Sequence, residues 1–578
     1  MRKHWLVAVF VAAAPLLAEP VRADIGLSLA YVDLGSPAYA RFKSFVDQAV
    51  GGNPGYAFSA TDAVYMYKLT GQPQYATLAI SWVEDQVTAA EAAIASSQSP
   101  EIAGDSYLAV GGMLRDVALV YDWCYPLLTP TQRTRWAAYA DQAVFNVWNH
   151  ATASWGGHPF PWSGWSVDNP GNNYHYSFLE ATMYWGFAGD RQNWIDYLAN
   201  TKLPALVSYF QALPGGGSRE GTGYGVALGR LFEIYRLWKD STPTHADLGA
   251  QSTHLADTLD YWIHGTVPTL DRYAPIGDLS RESYPSLYDY HRNLVLEARA
   301  MTAAPGGTAV AARASWWLHH IAVDEMTSGF NFRDDLLPAG STQTQPTALF
   351  HHATGAGHLF ARRSWATDSP WISFVAGPYV ESHAHQDQGA FNYFHNDWLA
   401  VTENIWSHSG IEQGTEIHNT LRFLNGSATI PQTESTSSMT VSDSAGVLHV
   451  AANLTPAYAS SGVISNWQRA LDFDSTSLTV TDNWSAAGGV TAVFQVNVPA
   501  TPSVTAGVIT AGALRIRPIT PANPAISIVN WHNVDTEEFN SGYKVELRGG
   551  TGTYVVRLEY LGGLFSNGFE SGNFNAWD

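Results

Sequence analysis

Asp334-Asp335-Leu336-Leu337-Pro338-Ala339-Gly340-Ser341 divides the chain into two kinds of sequence. Upstream, apolar residues recur every three to four positions. The runs at 39–46, 60–69, 75–93, 107–121 and 131–148 read as amphipathic helices. Further helical runs cover 177–188, 195–213, 224–239, 252–265, 292–301 and 308–323. Breakers sit between them: Gly71-Gln72-Pro73, Leu128-Thr129-Pro130, Pro214-Gly215-Gly216-Gly217 and Pro305-Gly306-Gly307. Sequential helices on short connections pair antiparallel and stack into a ring, an open toroid or another bundle. Downstream of the divide the period shortens to two. The runs 371–375, 478–482, 491–496 and 554–558 are separated by Gly, Asn, Asp and Ser. Strands of that length and spacing read as an antiparallel sandwich.

The 578 residues therefore divide into four parts. Residues 1–23 have the form of an export leader: a basic Met1-Arg2-Lys3-His4, an apolar run too short to span a bilayer, and Val21-Arg22-Ala23 before the mature start at Asp24. Residues 24–335 form the helical domain and 336–562 the sandwich. The Gly- and Asn-rich tail 563–578 has no periodicity and resembles short C-terminal tails of secreted bacterial proteins. The class is multidomain α+β. The net charge of −21 argues against nucleic acid or an anionic membrane as partner, while an acidic protein can still hold a locally basic cleft. With Cys124 the single cysteine, no intrachain disulfide can form. Its neighbours Trp123 and Tyr125 make it a small buried hydrophobe.

Three stretches concentrate chemistry. In Glu381-Ser382-His383-Ala384-His385-Gln386-Asp387, the two histidines at i and i+2 share a face if the segment is a strand. Glu403 and His418-Asn419-Thr420 follow. In the helical part, Asn172-Asn173-Tyr174-His175 comes after a Pro-Gly turn, at or just before a helix start, where one asparagine is explained as a cap. Gly216 to Gly225 is a glycine-rich loop presenting Arg219, Glu220 and Tyr224; with no Gly-Lys-Ser/Thr after it, it is a poor nucleotide cradle.

In this order, Asn172-Asn173-Tyr174-His175, the Arg219–Tyr224 loop, His383-Ala384-His385-Gln386-Asp387 and His418-Asn419-Thr420 resemble the heparinase II/III-like polysaccharide lyases, a group that includes oligo-alginate lyases. The resemblance implies an N-terminal incomplete (α/α) toroid, a C-terminal antiparallel β-sandwich and an active site between them. It implies β-elimination at a uronic acid, with an acidic polysaccharide (alginate or a glycosaminoglycan) as substrate. By this resemblance Asn173 and His383 neutralise the uronate carboxylate. Tyr224 protonates the leaving oxygen and can also act as base in syn elimination, and His175 can be the base for the opposite C5 epimer. Asn172, Arg219, Glu220, Trp406, Gln413 and Arg422 are the candidate substrate contacts. The resemblance also implies one structural zinc on His385, Glu403 and His418; the usual acid is aspartate, and Glu403 is one methylene longer. Asp387 is a candidate for orienting a histidine. Two other readings stand beside this one: a glycoside hydrolase drawing its acids from Asp168, Glu180 and Glu220, and a non-catalytic carbohydrate-binding protein.

Overall fold

The computed structural model describes residues 25–242, 244–278, 285–302, 308–323, 332–403 and 413–562. The leader, the tail and Trp406 lie outside the described residues. Among those described, no helix is long and apolar enough to cross a membrane.

Local chemistry sets the helix ends. Ser59 and Asp62 form a capping box at the start of Ala60–Thr70, and Gly71 closes that helix in the left-handed conformation at φ 68°. Pro130 occupies the first turn of Pro130–Trp148, capped by Thr129 with Gln132. The helix Val110–Trp123 packs on Asn173–Ala188, and Leu228–Ser241 packs on Asp289–Thr302. One expected helix is interrupted: residues 195–213 become Gln192–Tyr197, a π-helical turn Leu198–Lys202 and Leu203–Gln211. Among the described residues the last α-helix of the series is Thr308–His320; a 3₁₀ turn at Asp334–Leu336 comes after it, and the first strand of the sandwich half is Phe350–Ala353. The toroid is followed by antiparallel sheets, as the change of period predicts.

One five-stranded sheet joins the halves. It contains Phe350–Ala353, His358–Arg362, Trp371–Val375, Phe391–His395 and Asp397–Ala400 in that order, every neighbouring pair antiparallel. Side chains on a strand alternate between faces, and here each face meets a different core. Phe360, Trp371, Val375, Phe394 and Trp398 pack into the toroid's core. Leu359, Ile372, Phe374, Phe391 and Tyr393 pack into the sandwich. The central strands His358–Arg362 and Trp371–Val375 are therefore buried along their whole length: neither face meets water. Arg362 adds a polar tie, its Nη2 donating to the carbonyls of Ile263, His264 and Thr266 at 3.4, 3.2 and 2.6 Å, which caps the end of the helix His254–Gly265. The Trp371 Nε1–H donates to the same His264 carbonyl at 2.9 Å.

Candidate active site

His383 and His385 sit on a loop, residues 381–389, between the strands Pro378–Tyr379 and Phe391–His395, rather than on a strand. Side-chain bonds from the sandwich fix the loop. Gln388 N–H donates to Gln432 Oε1 at 2.9 Å, Gln432 N–H donates to Gln386 Oε1 at 3.0 Å, and Arg469 Nη1 donates to the Gly389 carbonyl at 2.6 Å. The two imidazoles converge because they share one carboxylate. His383 Nδ1–H donates to Asp278 Oδ2 at 2.9 Å and His385 Nε2–H donates to Oδ1 at 2.7 Å. Gln413 Nε2 adds bonds of 3.2 and 3.1 Å to the same two oxygens. Burial opposes the Asp278 charge, but the hydrogen bonds from His383, His385 and Gln413 outweigh it and hold the carboxyl well below the usual range. The sequence offers no signal for Asp278: it lies in an aperiodic connection between helices, 105 positions from His383.

A short segment, residues 274–278, runs between the glycine-rich loop of the toroid and the histidine loop of the sandwich. Thr222 N–H donates to the Ile276 carbonyl at 2.9 Å, and Asp278 N–H donates to the His383 carbonyl at 2.9 Å. Thr222 Oγ1 donates to the Ala274 carbonyl at 2.6 Å. The approach is close enough that Gly221 (φ 95°) and Gly277 (φ 70°) have no room for a Cβ. The segment brings the two catalytic candidates together: the Tyr224 ring lies flat on the His383 ring, centroids 3.6 Å apart and planes 8° apart. His383 Nε2 has no hydrogen-bond partner among the described residues.

The helix Asn173–Ala188 starts beside this pair, packed against the 3₁₀ turn Tyr224–Ala227. Asn172 is its N-cap: its Oδ1 accepts from Tyr174 N–H at 3.1 Å, and its Nδ2 donates to Glu220 Oε1 at 3.2 Å. Both side-chain polar atoms of Asn172 are committed to these bonds, so its place is in bracing the site rather than in contact with substrate. Asn173, one step into the helix, has a buried Oδ1 with no partner among the described residues. His175 is 1% exposed. Its Nδ1 lies 3.2 Å from the Ser166 carbonyl; a carbonyl only accepts, so Nδ1 carries the proton and Nε2 is bare. That Nε2 is buried and has no partner among the described residues. Burial, reinforced by the Lys202 ammonium, pulls the His175 pKa down to about 4, which keeps the ring neutral.

Glu220 is also buried; burial, with Glu381 and Asp278 as neighbours, pushes its pKa up to about 9, so it holds its proton. Arg219 Nε donates to the Gly355 carbonyl at 3.1 Å and the guanidinium lies 5.5 Å from the Tyr209 ring centroid, so it braces the loop against the sandwich. Arg422, expected as a sugar contact, is a buried cross-strand tie: Nη2 to Glu546 at 2.6 Å and Nε to Gln495 at 3.0 Å. Among the described residues Asp387 makes no hydrogen bond to an imidazole; burial pushes its carboxyl up to about 7, and Asp278 has the orienting place instead. The acids considered for hydrolysis do not pair. Asp168 binds Lys202 at 2.6 Å, and Glu180 is buried between Arg115 and Arg230 at 3.0 and 3.2 Å.

Of the three residues expected on zinc, two meet: His385 Nδ1 and His418 Nε2 are 3.2 Å apart, with His418 Nδ1 on Thr402 Oγ1. Glu403 does not join them; its Oε1 lies against Gly542. Among the described residues no three His, Cys, Asp or Glu side chains are grouped to hold a metal ion. His385 and His418, each with its other ring nitrogen hydrogen-bonded, turn bare nitrogens toward one another as two metal ligands would, while Glu403 stands apart from them; no chemistry below passes through a metal.

No family model matches the sequence, and no curated protein matches it. Solved structures do match in shape. A heparinase III superposes with a TM-score of 0.59 at 14% identity, covering 94% of this chain and 87% of its own. The chondroitin AC lyase of Streptomyces coelicolor A3, solved with chondroitin sulphate, gives 0.54 at 12%, covering 94% and 82%. A Paenibacillus xanthan lyase gives 0.51 at 10%, covering 92% of this chain and 58% of its own. The chain has the fold of the heparinase and chondroitin lyases. In this lyase fold the Tyr224–His383 pair lies where helical and sandwich halves meet.

Proposed function

We propose that the protein is a polysaccharide lyase that cleaves a 4-O-linked uronate polysaccharide, alginate or a glycosaminoglycan, by β-elimination. The observation that carries this reading is the contact between the toroid's Tyr224 phenol and the sandwich's His383 imidazole, beside Asn173 and His175. Elimination needs a neutralised carboxylate, a base for the C5 proton and an acid for the O4 leaving group. The Asn173 amide and His383 supply the first; with its Nδ1–H on Asp278, His383 donates from Nε2 as the imidazolium. Preorganised donors at a developing enediolate are each worth roughly 3 kcal/mol. His175 offers the bare Nε2 that a base requires, and its neutral state keeps that lone pair available. The C5–H electrons form the C4=C5 bond as the C4–O bond breaks, and the Tyr224 hydroxyl gives its proton to the departing oxygen. If Tyr224 takes the C5 proton as well, His175→Ala retains turnover.

The test is ultraviolet absorbance of purified protein on alginate, hyaluronan, chondroitin and heparan polymers, because elimination creates a conjugated C=C–carboxylate and hydrolysis does not. A rise on one polymer is expected, with kcat reduced about 10²–10⁴-fold in Tyr224→Phe. New reducing ends without absorbance would mean a hydrolase and sink the proposal.

A further inference from the structure

We infer that Asp278 is the positioning residue of the site: one carboxylate, carried on the 274–278 segment, sets the direction of both His383 and His385 and keeps His383 flat against Tyr224. The inference rests on the lyase reading for its kinetic consequence, though not for its structural one. Three side chains donate to the two oxygens of Asp278, at 2.9 Å from His383, 2.7 Å from His385 and 3.1 and 3.2 Å from Gln413. Its own N–H is fixed on the His383 carbonyl at 2.9 Å, so main chain and side chain of Asp278 hold the same residue. With the Nδ1–H of His383 committed to the carboxylate, the ring cannot turn about its Cβ–Cγ bond without losing that hydrogen bond. Nε2 is thereby left as the nitrogen facing substrate. In the proposed mechanism Asp278 meets neither the uronate nor the reacting atoms. It acts through His383.

The isosteric variant Asp278→Asn separates positioning from packing. Its amide oxygen can still accept from one imidazole, but its NH₂ meets the N–H of the other, donor against donor, so one ring must rotate or move its proton. In Asp278→Asn we expect kcat to fall about 10–100-fold, the range for losing a partner that orients a functional histidine, with KM little changed. Asp278→Glu, which keeps two acceptor oxygens, is expected to recover part of kcat. A second readout does not depend on catalysis. The hydrogen-bonded His383 Nδ1–H gives a downfield proton resonance, assigned by its loss in His383→Ala, and this resonance disappears or shifts in Asp278→Asn. Wild-type kcat in folded Asp278→Asn, a raised KM at unchanged kcat, or an unmoved resonance each overturns the inference. If Asp278→Asn does not fold, Asp278→Glu decides: lowered kcat with a shifted resonance supports the inference, and wild-type kcat with an unmoved one overturns it. If the wild-type protein eliminates on no polymer, the lyase reading fails by itself and the resonance still decides the place of Asp278.

Discussion

Glu220 and His175 lie on two sides of the same helix start and are both held neutral, by opposite shifts. Glu220, pushed up by burial to about 9, binds its proton more tightly folded than unfolded. Its stabilising share is complete below the ordinary glutamate pKa of about 4.5 and drains away as pH climbs towards 9. His175, pulled down by burial to about 4, resists protonation in the fold. Its share is complete above the ordinary histidine value of about 6.5 and is lost as pH falls towards 4. Glu220→Gln keeps the shape and removes the first titration. Melting temperatures taken from pH 5 to 9 should therefore decline less steeply in Glu220→Gln than in wild type; parallel curves would mean that Glu220 is not protonated in the fold. At this scale the sequence was readable where chemistry is local and opaque where it is not. Tyr224 and His383 stand out from glycine or histidine neighbours. Asp278 does not, because nothing adjacent marks an aspartate whose partners are far along the chain. Arg422 misleads for the converse reason: its strand neighbours give no hint of Glu546, which reaches it from a strand 124 positions away.

The 274–278 segment has no regular secondary structure and yet a close spacing to its neighbours. Gly277 is left-handed, and a Cβ there would press on the carbonyls of Glu220 and His383. Gly277→Ala should destabilise the fold by about 1–3 kcal/mol through backbone strain alone. It should also wedge the Tyr224 and His383 loops apart, and a displacement near 1 Å at a reacting pair can cost about 10²-fold in rate. Far-UV circular dichroism unchanged from wild type, with activity reduced by that order, is the expected pair of results. Full activity would show that the segment tolerates the extra atom. Helices were legible from spacing and breakers, because Gly71, Pro73 and Pro130 end or begin elements through their own backbones. The histidine loop was not, because alternation in a short polar segment suggests a strand while the bonds that bend 381–389 come from Gln432 and Arg469.

In the whole molecule, the sheet shared by the two cores makes toroid and sandwich one cooperative object. Phe360, Trp371 and Phe394 on one face and Ile372, Phe374 and Phe391 on the other cannot lose one core without uncovering the other. Scanning calorimetry of the full chain is expected to show one transition rather than two; a resolved pair of peaks would mean that the halves unfold independently. The order of helices and strands announced the two halves. That they share a sheet could not be read, because an apolar run buried between two cores looks like any buried strand.

The segment that carries Asp278 also has a consequence for engineering by recombination. A chimera cut at residue 340, the natural seam of the sequence, would import a foreign sandwich with its own histidines and leave Asp278 behind on the recipient toroid. The carboxylate and the imidazoles it steers would then come from different parents. Compatibility between parents is set by that trio as well as by the sheet the two cores share, so a successful graft must transplant 274–278 together with the sandwich.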